Sequence, residues 1–102
     1  MTVIHQQVMP EGISIQMLDE VTDEMGVDSD PPKGLIVHVH YEVDGQAHIM
    51  DLWDSQADYD TFDAERLGPA TRKVAEAHGM EVSQGPGPTG TSHEVHRMVR
   101  GA

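Results

Sequence analysis

Gly34-Leu35-Ile36-Val37-His38-Val39-His40-Tyr41-Glu42-Val43-Asp44-Gly45-Gln46-Ala47-His48-Ile49-Met50-Asp51-Leu52-Trp53 is the stretch on which the fold turns. Leu35 to Val43 is dense in β-branched residues and reads as a strand. Asp44-Gly45 follows, a pair that tolerates the positive φ angles of a two-residue type I′ turn. Gln46 to Trp53 is the return strand. Counting outward from the turn pairs Val43 with Gln46, Tyr41 with His48, His40 with Ile49, Val39 with Met50, His38 with Asp51, Val37 with Leu52 and Ile36 with Trp53. Side chains alternate between the two faces of a sheet. One face then carries Leu35, Val37, Val39, Tyr41, Val43, His48, Met50 and Leu52, and is largely apolar. The other carries Ile36, His38, His40, Ile49, Asp51 and Trp53.

Outward from the hairpin, Thr2–Met9 is β-rich and predicts a first strand, which Pro10-Glu11-Gly12 ends. Met17, Leu18, Val21 and Met25 recur at helical spacing, with Asp19, Glu20, Asp23 and Glu24 on the other side. The spacing predicts a helix over Ser14–Met25 stopped by Gly26, with the acidic side solvated. After the hairpin, Ser55 is placed to cap a helix that has Asp58 in its first turn. Gly68-Pro69 interrupts the pattern, which predicts two pieces, Gln56–Leu67 and Ala70–His78. Gln84–Gly90 reads as a loop and Glu94–Val99 as a last strand. The order β-α-β-β-α-β predicts an α+β, ferredoxin-like domain over 1–102, a four-stranded antiparallel sheet with helices on one face. The uncovered face must meet water or another subunit.

The chain has 102 residues, 18 acidic against 6 basic, and a formal net charge of −12. Phosphate backbones are held by Lys and Arg, so nucleic-acid binding is not expected. With no Cys, disulfides, thiolate nucleophiles and Cys-ligated zinc are excluded. No apolar run approaches the roughly 20 residues of a membrane helix, and Met1–His5 lacks the basic and apolar regions of a signal peptide. The expected location is the cytoplasm. Aromatics make up only 4%, so seven Met, with Val, Ile and Leu, must fill the core or a subunit interface.

Gly34-Leu35-Ile36-Val37-His38, Asp44-Gly45, Asp51-Leu52-Trp53-Asp54-Ser55, Phe62 and Arg66-Leu67-Gly68-Pro69 occur in an order and spacing that resemble the dimeric α+β-barrel superfamily. Within it, the likeness is to small proteins related to antibiotic-biosynthesis monooxygenases, and it is carried by residues 34–70. The resemblance implies a homodimer whose sheets face each other, and a pocket between sheet and helices in each subunit. It also implies a range of activities: cofactor-independent oxygenation of polycyclic phenols, polyketide cyclisation, haem degradation, or none. Fold alone does not choose among them.

The polar face of the hairpin carries the candidate chemistry. His38 opposite Asp51 brings an imidazole and a carboxylate to about 5 Å between Cβ atoms. The carboxylate fixes the tautomer of the ring, and the pair can take a proton from an acidic phenol or enol. His38 and Asp51 are therefore the candidate catalytic residues, with His38 the base and Asp51 its orienting partner. Trp53, His40, Ile36, Tyr59 and Phe62 are the candidate substrate contacts, Trp53 as a flat wall for an aromatic or polyketide-like molecule. No cofactor is called for. Two other readings stand beside this one. His38 and Asp51 can satisfy each other in a non-enzymatic, ligand-binding or structural homodimer with Trp53 as core. His38, His40 and Asp51 also form a two-histidine, one-carboxylate set of the kind that holds a divalent ion. His93 and His96 are spaced i, i+3 and in a strand point to opposite faces, so they read as surface residues. His5 and His78 have no evident partner in the sequence.

Overall fold

The computed structural model describes residues 1–80 and 90–102. Four strands, β1 (Val3–Val8), β2 (Leu35–Val43), β3 (Gln46–Trp53) and β4 (Thr91–Glu94), form one sheet in the order β2-β3-β1-β4. All three pairings are antiparallel. Helix α1 (Ile15–Met25) and a second helical run pack on one face. This is the ferredoxin-like α+β arrangement. Among the described residues no helix is long and apolar enough to cross a membrane.

The hairpin forms in the expected register from Val43↔Gln46 out to Val37↔Leu52. Asp44 (φ 50°) and Gly45 (φ 79°) both take positive φ, as a type I′ turn requires. Beyond Val37 the register slips: Leu35, not Ile36, pairs with Trp53. A β-bulge at Ile36 inserts the extra residue. It turns Leu35 toward the helices, where it packs against the cluster of Val3, Val27, Trp53 and Phe62. Gly34 (φ 85°) closes this corner, its carbonyl accepting from the Asp54 N–H at 2.8 Å.

Helix α1 starts at Ser14, whose hydroxyl accepts from the Met17 N–H, and ends at Gly26 in the left-handed conformation. The helical run after the hairpin corrects the expected break at Gly68-Pro69. Helix α2 (Gln56–Phe62) passes through a π-helical turn (Asp63–Leu67) into α3 (Gly68–Ala77) with helical backbone throughout. The Gly68 N–H reaches back to Asp63 O, a five-residue step. The wider turn adds a residue ahead of Pro69, so a side chain with no N–H to give is carried without ending the helix. The last strand is also earlier than expected, at Thr91–Glu94 instead of Glu94–Val99. It pairs with β1, and the ladder closes where the Val95 N–H donates to Thr2 O (2.9 Å). β1 begins at Val3, so residues beyond Val95 run past its end. The expected Gln84–Gly90 loop falls mostly on 81–89, outside the described residues.

The core lies between sheet and helices in two clusters. Val3, Val27, Trp53 and Phe62 form one, with Met25, Leu35, Tyr59 and Leu67 packed around them. Met9, Leu18 and Ala47 form the other, with Ile13, Ile15 and Ile49. Among the described residues no helix lies over the opposite face, and Val8, Val37, Tyr41 and Val43 are exposed there.

Candidate functional site

Asp51 organises the site. Its place opposite His38 on β3 puts it on the helix-covered face, where the residue is only 3% exposed. A carboxylate so buried must be hydrogen-bonded. His38 Nδ1–H donates to Oδ1 at 2.5 Å, and the Trp53 indole Nε1–H donates to Oδ2 at 3.3 Å. An ionised carboxylate only accepts, so Nδ1 of His38 carries the proton. Nε2 of His38 is left with a lone pair.

That lone pair meets a second imidazole. His40 lies two residues along β2, on the same face. Its Nε2 is 2.8 Å from Nε2 of His38, and the rings meet edge to face. His40 Nδ1–H donates to Asp19 Oδ1 at 3.0 Å. The Thr22 hydroxyl lies 3.4 Å from His38 Nε2 and 3.3 Å from His40 Nε2. Asp19 and Thr22 are three apart on α1 and so share one face of it. A chain of polar contacts thus runs Trp53–Asp51–His38–His40–Asp19, from a fully buried indole to a side chain 62% exposed.

His5 adds a third imidazole. Its partner across the β1–β3 ladder is Asp51. Tyr59 OH lies 3.0 Å from His5 Nε2, Ser92 Oγ lies 3.0 Å from Nδ1, and the His5 and Tyr59 rings stack at 4.1 Å. Burial holds the His5 imidazole below its ordinary value of 6.5, against the opposing pull of Asp51 and Asp63. Burial, joined by the charges of Asp63, Asp51 and Asp60, raises the Tyr59 phenol. A neutral His5 has one N–H, so it donates at one side and accepts at the other.

The expected site residues fall into three groups. His38, Asp51, Trp53 and His40 come together as one network. Tyr59 and Phe62 pack on Trp53, with ring centroids 5.7 and 5.0 Å away. Ile36 does not join them: it is the bulged residue, and Leu35 takes its place beside Trp53. Thr22, Asp19, His5 and Ser92 complete the site and were not legible as members of it. Asp19 belongs to the acidic side expected to be merely solvated. His5 and His78 also find partners, His78 bonding Glu20 at 2.6 Å. His93 and His96 are exposed, as expected.

A cavity of about 10 Å³, the room of one water-sized sphere, is lined by Met25, Val27, Leu35, His38, Asp51, Trp53 and Phe62. An aromatic ring does not enter it without movement of α1 or α2. A larger open groove of about 270 Å³ lies away from His38, over Glu24, Arg66 and Lys73. There Lys73 bonds Glu24 (2.6 Å), and the Arg66 guanidinium donates to Met25 O (2.6 Å) and Asp30 O (2.9 Å). The expected ligand set of His38, His40 and Asp51 is not assembled. Asp51 bonds Nδ1 of His38, on the other side of the ring from Nε2, and among the described residues no three His, Asp or Glu surround one point.

No family model matches the chain, and no curated protein matches it. Solved structures do. A candidate antibiotic biosynthesis monooxygenase from Deinococcus radiodurans is similar over 98% of this chain and 97% of its own, with 15% identity and a TM-score of 0.61. SnoaB, a cofactor-independent oxygenase from Streptomyces nogalater, is similar over 96% of this chain and 95% of its own (11% identity, TM-score 0.57). The haem degrader MhuD from Mycobacterium tuberculosis, which binds two haems in its active site, is similar over 97% and 99% (17% identity, TM-score 0.53). Over nearly its whole length, then, this chain shares the fold of these antibiotic-biosynthesis-monooxygenase-like structures.

Proposed function

We propose that this protein is a homodimer that binds an aromatic or polyketide-like small molecule beside Trp53 and deprotonates it with the His38–Asp51 dyad, as a cofactor-independent monooxygenase or cyclase does. The observation that carries the reading is the burial of Asp51 against one imidazole and one indole N–H. A buried ionisable pair next to a cavity is costly for structure alone and is a common arrangement for proton transfer. The dyad acts as a unit. A phenolic or enolic O–H breaks, the proton passes to Asp51–His38, and the electron-rich anion that remains is the form that reacts with dioxygen or closes a ring. His40 and Asp19 offer the proton a path to solvent. Trp53, Tyr59 and Phe62 provide the aromatic wall, and His40 borders the base. The fold it shares with SnoaB supports this reading, because that protein is a cofactor-independent oxygenase.

The homodimer is supported by the apolar face that no helix covers among the described residues. A second copy laid on that face removes Val8, Val37, Tyr41 and Val43 from water.

The test is oxygen uptake or product formation with a panel of polycyclic phenols. His38→Ala and the isosteric Asp51→Asn are each expected to lower turnover at least a hundredfold in protein that remains folded. Turnover unchanged in His38→Ala removes the dyad from the mechanism. A second reading, a dimer without enzymatic activity, is favoured by one observation: the cavity beside the dyad has room only for something the size of water.

A further inference from the structure

The two Nε2 atoms at the centre of the polar network face each other at 2.8 Å. Each ring already gives its Nδ1–H to a carboxylate, His38 to Asp51 and His40 to Asp19. Both Nε2 atoms therefore present lone pairs to the same point. One hydroxyl, that of Thr22, stands 3.3 and 3.4 Å from them and has a single proton to give. Two lone pairs at this distance repel unless something positive lies between them.

The geometry points to a divalent transition-metal ion of the zinc class held by Nε2 of His38 and Nε2 of His40, with the Thr22 hydroxyl, or a water on it, as third donor. Three features fit. First, a histidine that ligates a metal almost always gives its other N–H to a carboxylate or carbonyl, and both rings here do so. Second, four-coordinate zinc with bonds of about 2.0–2.1 Å sets its donors roughly 3.3–3.4 Å apart. The triangle of His38 Nε2, His40 Nε2 and Thr22 Oγ1 has edges of 2.8, 3.3 and 3.4 Å. Two edges match, and the third needs to open by about half an ångström. Third, Asp19 and Asp51 bring two negative charges to the outer side of the rings, enough to balance a divalent ion. Imidazole nitrogen is also the donor that zinc, copper and nickel accept readily.

This site differs from a His38, His40 and Asp51 ligand set, because Asp51 orients a ligand and is not one. It goes beyond the proposed base chemistry and is read without turnover. A cation here takes both Nε2 lone pairs and closes the path from His38 to His40, so the metal-loaded protein is the form in which the proposed base chemistry is switched off.

The experiment is metal uptake by the full chain without a histidine tag. Zn²⁺ is titrated in competition with a chromophoric chelator, and Co²⁺ is used as a spectroscopic probe. The expected result is one equivalent per chain, with the visible bands of four-coordinate cobalt. His40→Gln should weaken binding at least a hundredfold and abolish the bands. Asp19→Asn should weaken it tenfold to a hundredfold. His78→Gln, away from the site, should bind as the unaltered chain does. Uptake below one equivalent, as a shared proton in place of a cation would give, overturns the assignment. So does His40→Gln binding with full affinity. If His40→Gln does not fold, Asp19→Asn and Thr22→Val decide: affinity unchanged in both refutes the site.

Discussion

Asp51 is the residue whose surroundings decide most. Removing His38 leaves its carboxylate buried with, among the described residues, the Trp53 indole N–H as its remaining side-chain donor. His38→Ala is therefore expected to cost about 2 kcal/mol, discounted from a fully buried pair because His38 is 19% exposed. Chemical denaturation of the two proteins measures it, and a loss below a few tenths would mean that the carboxylate finds another partner. His5 gives a pH effect whose sign is fixed by its depressed folded-state value. The unfolded chain takes up this proton first, near the ordinary 6.5. Stability from His5 is whole above that pH and is lost as pH falls through it toward the lower folded-state value. Replacing His5 with Gln should flatten the fall in stability as pH drops below the ordinary 6.5 by up to one proton's worth of slope. Urea midpoints at several pH values check this, and parallel curves for the two proteins would remove His5 as the source. His38 and Asp51 were legible as a pair because register alone places them opposite each other. His5 was not, since its partners Tyr59 and Ser92 lie 54 and 87 residues away in the chain.

Elements were legible where the signal is local. The hairpin, the α1 caps and the Ser55 cap are set by residues within a few positions of each other. The differences arise where a neighbour in space decides. The Ile36 bulge sets Leu35 opposite Trp53 and against the core cluster around it, which no count from the turn reveals. The π turn converts a proline that reads as a stop into a passenger in a continuous helix. β4 is placed by β1, not by its own apolar residues. Two substitutions probe this level. Ser55→Ala removes the hydroxyl that accepts from the Asp58 N–H at 3.1 Å and should cost about 1 kcal/mol. Gly34→Ala should cost more, about 1–3 kcal/mol, because φ is +85° and an added Cβ would overlap the Asp58 side chain. Thermal melts rank the two, and the reverse order would contradict the strained corner at Gly34.

At the scale of the molecule, the sheet buries one face under helices and leaves the other apolar and open. Tyr41, stacked on His48 at 4.9 Å, stands near the turn end of that open face. With Val37 it is the natural place to test association. Tyr41→Asp and Val37→Asp should each shift the species seen by light scattering from two chains toward one. A monomer in the unaltered protein at micromolar concentration would contradict the proposed dimer. The alternation of the hairpin made both faces legible in advance, but not how tightly α1 closes over the polar one. That closure leaves a cavity of about 10 Å³ and makes ligand entry the critical question. The chain has a single Trp, and it lies in the candidate site, fully buried and bonded to Asp51. Titration with a polycyclic phenol, followed by Trp53 emission and by the ligand's own phenolate absorption, therefore tests whether the His38–Asp51 dyad binds and deprotonates a phenol. Saturable quenching is expected, with phenolate formed in the unaltered protein and not in His38→Ala. No saturable change in Trp53 emission up to the solubility limit of the phenol would contradict it.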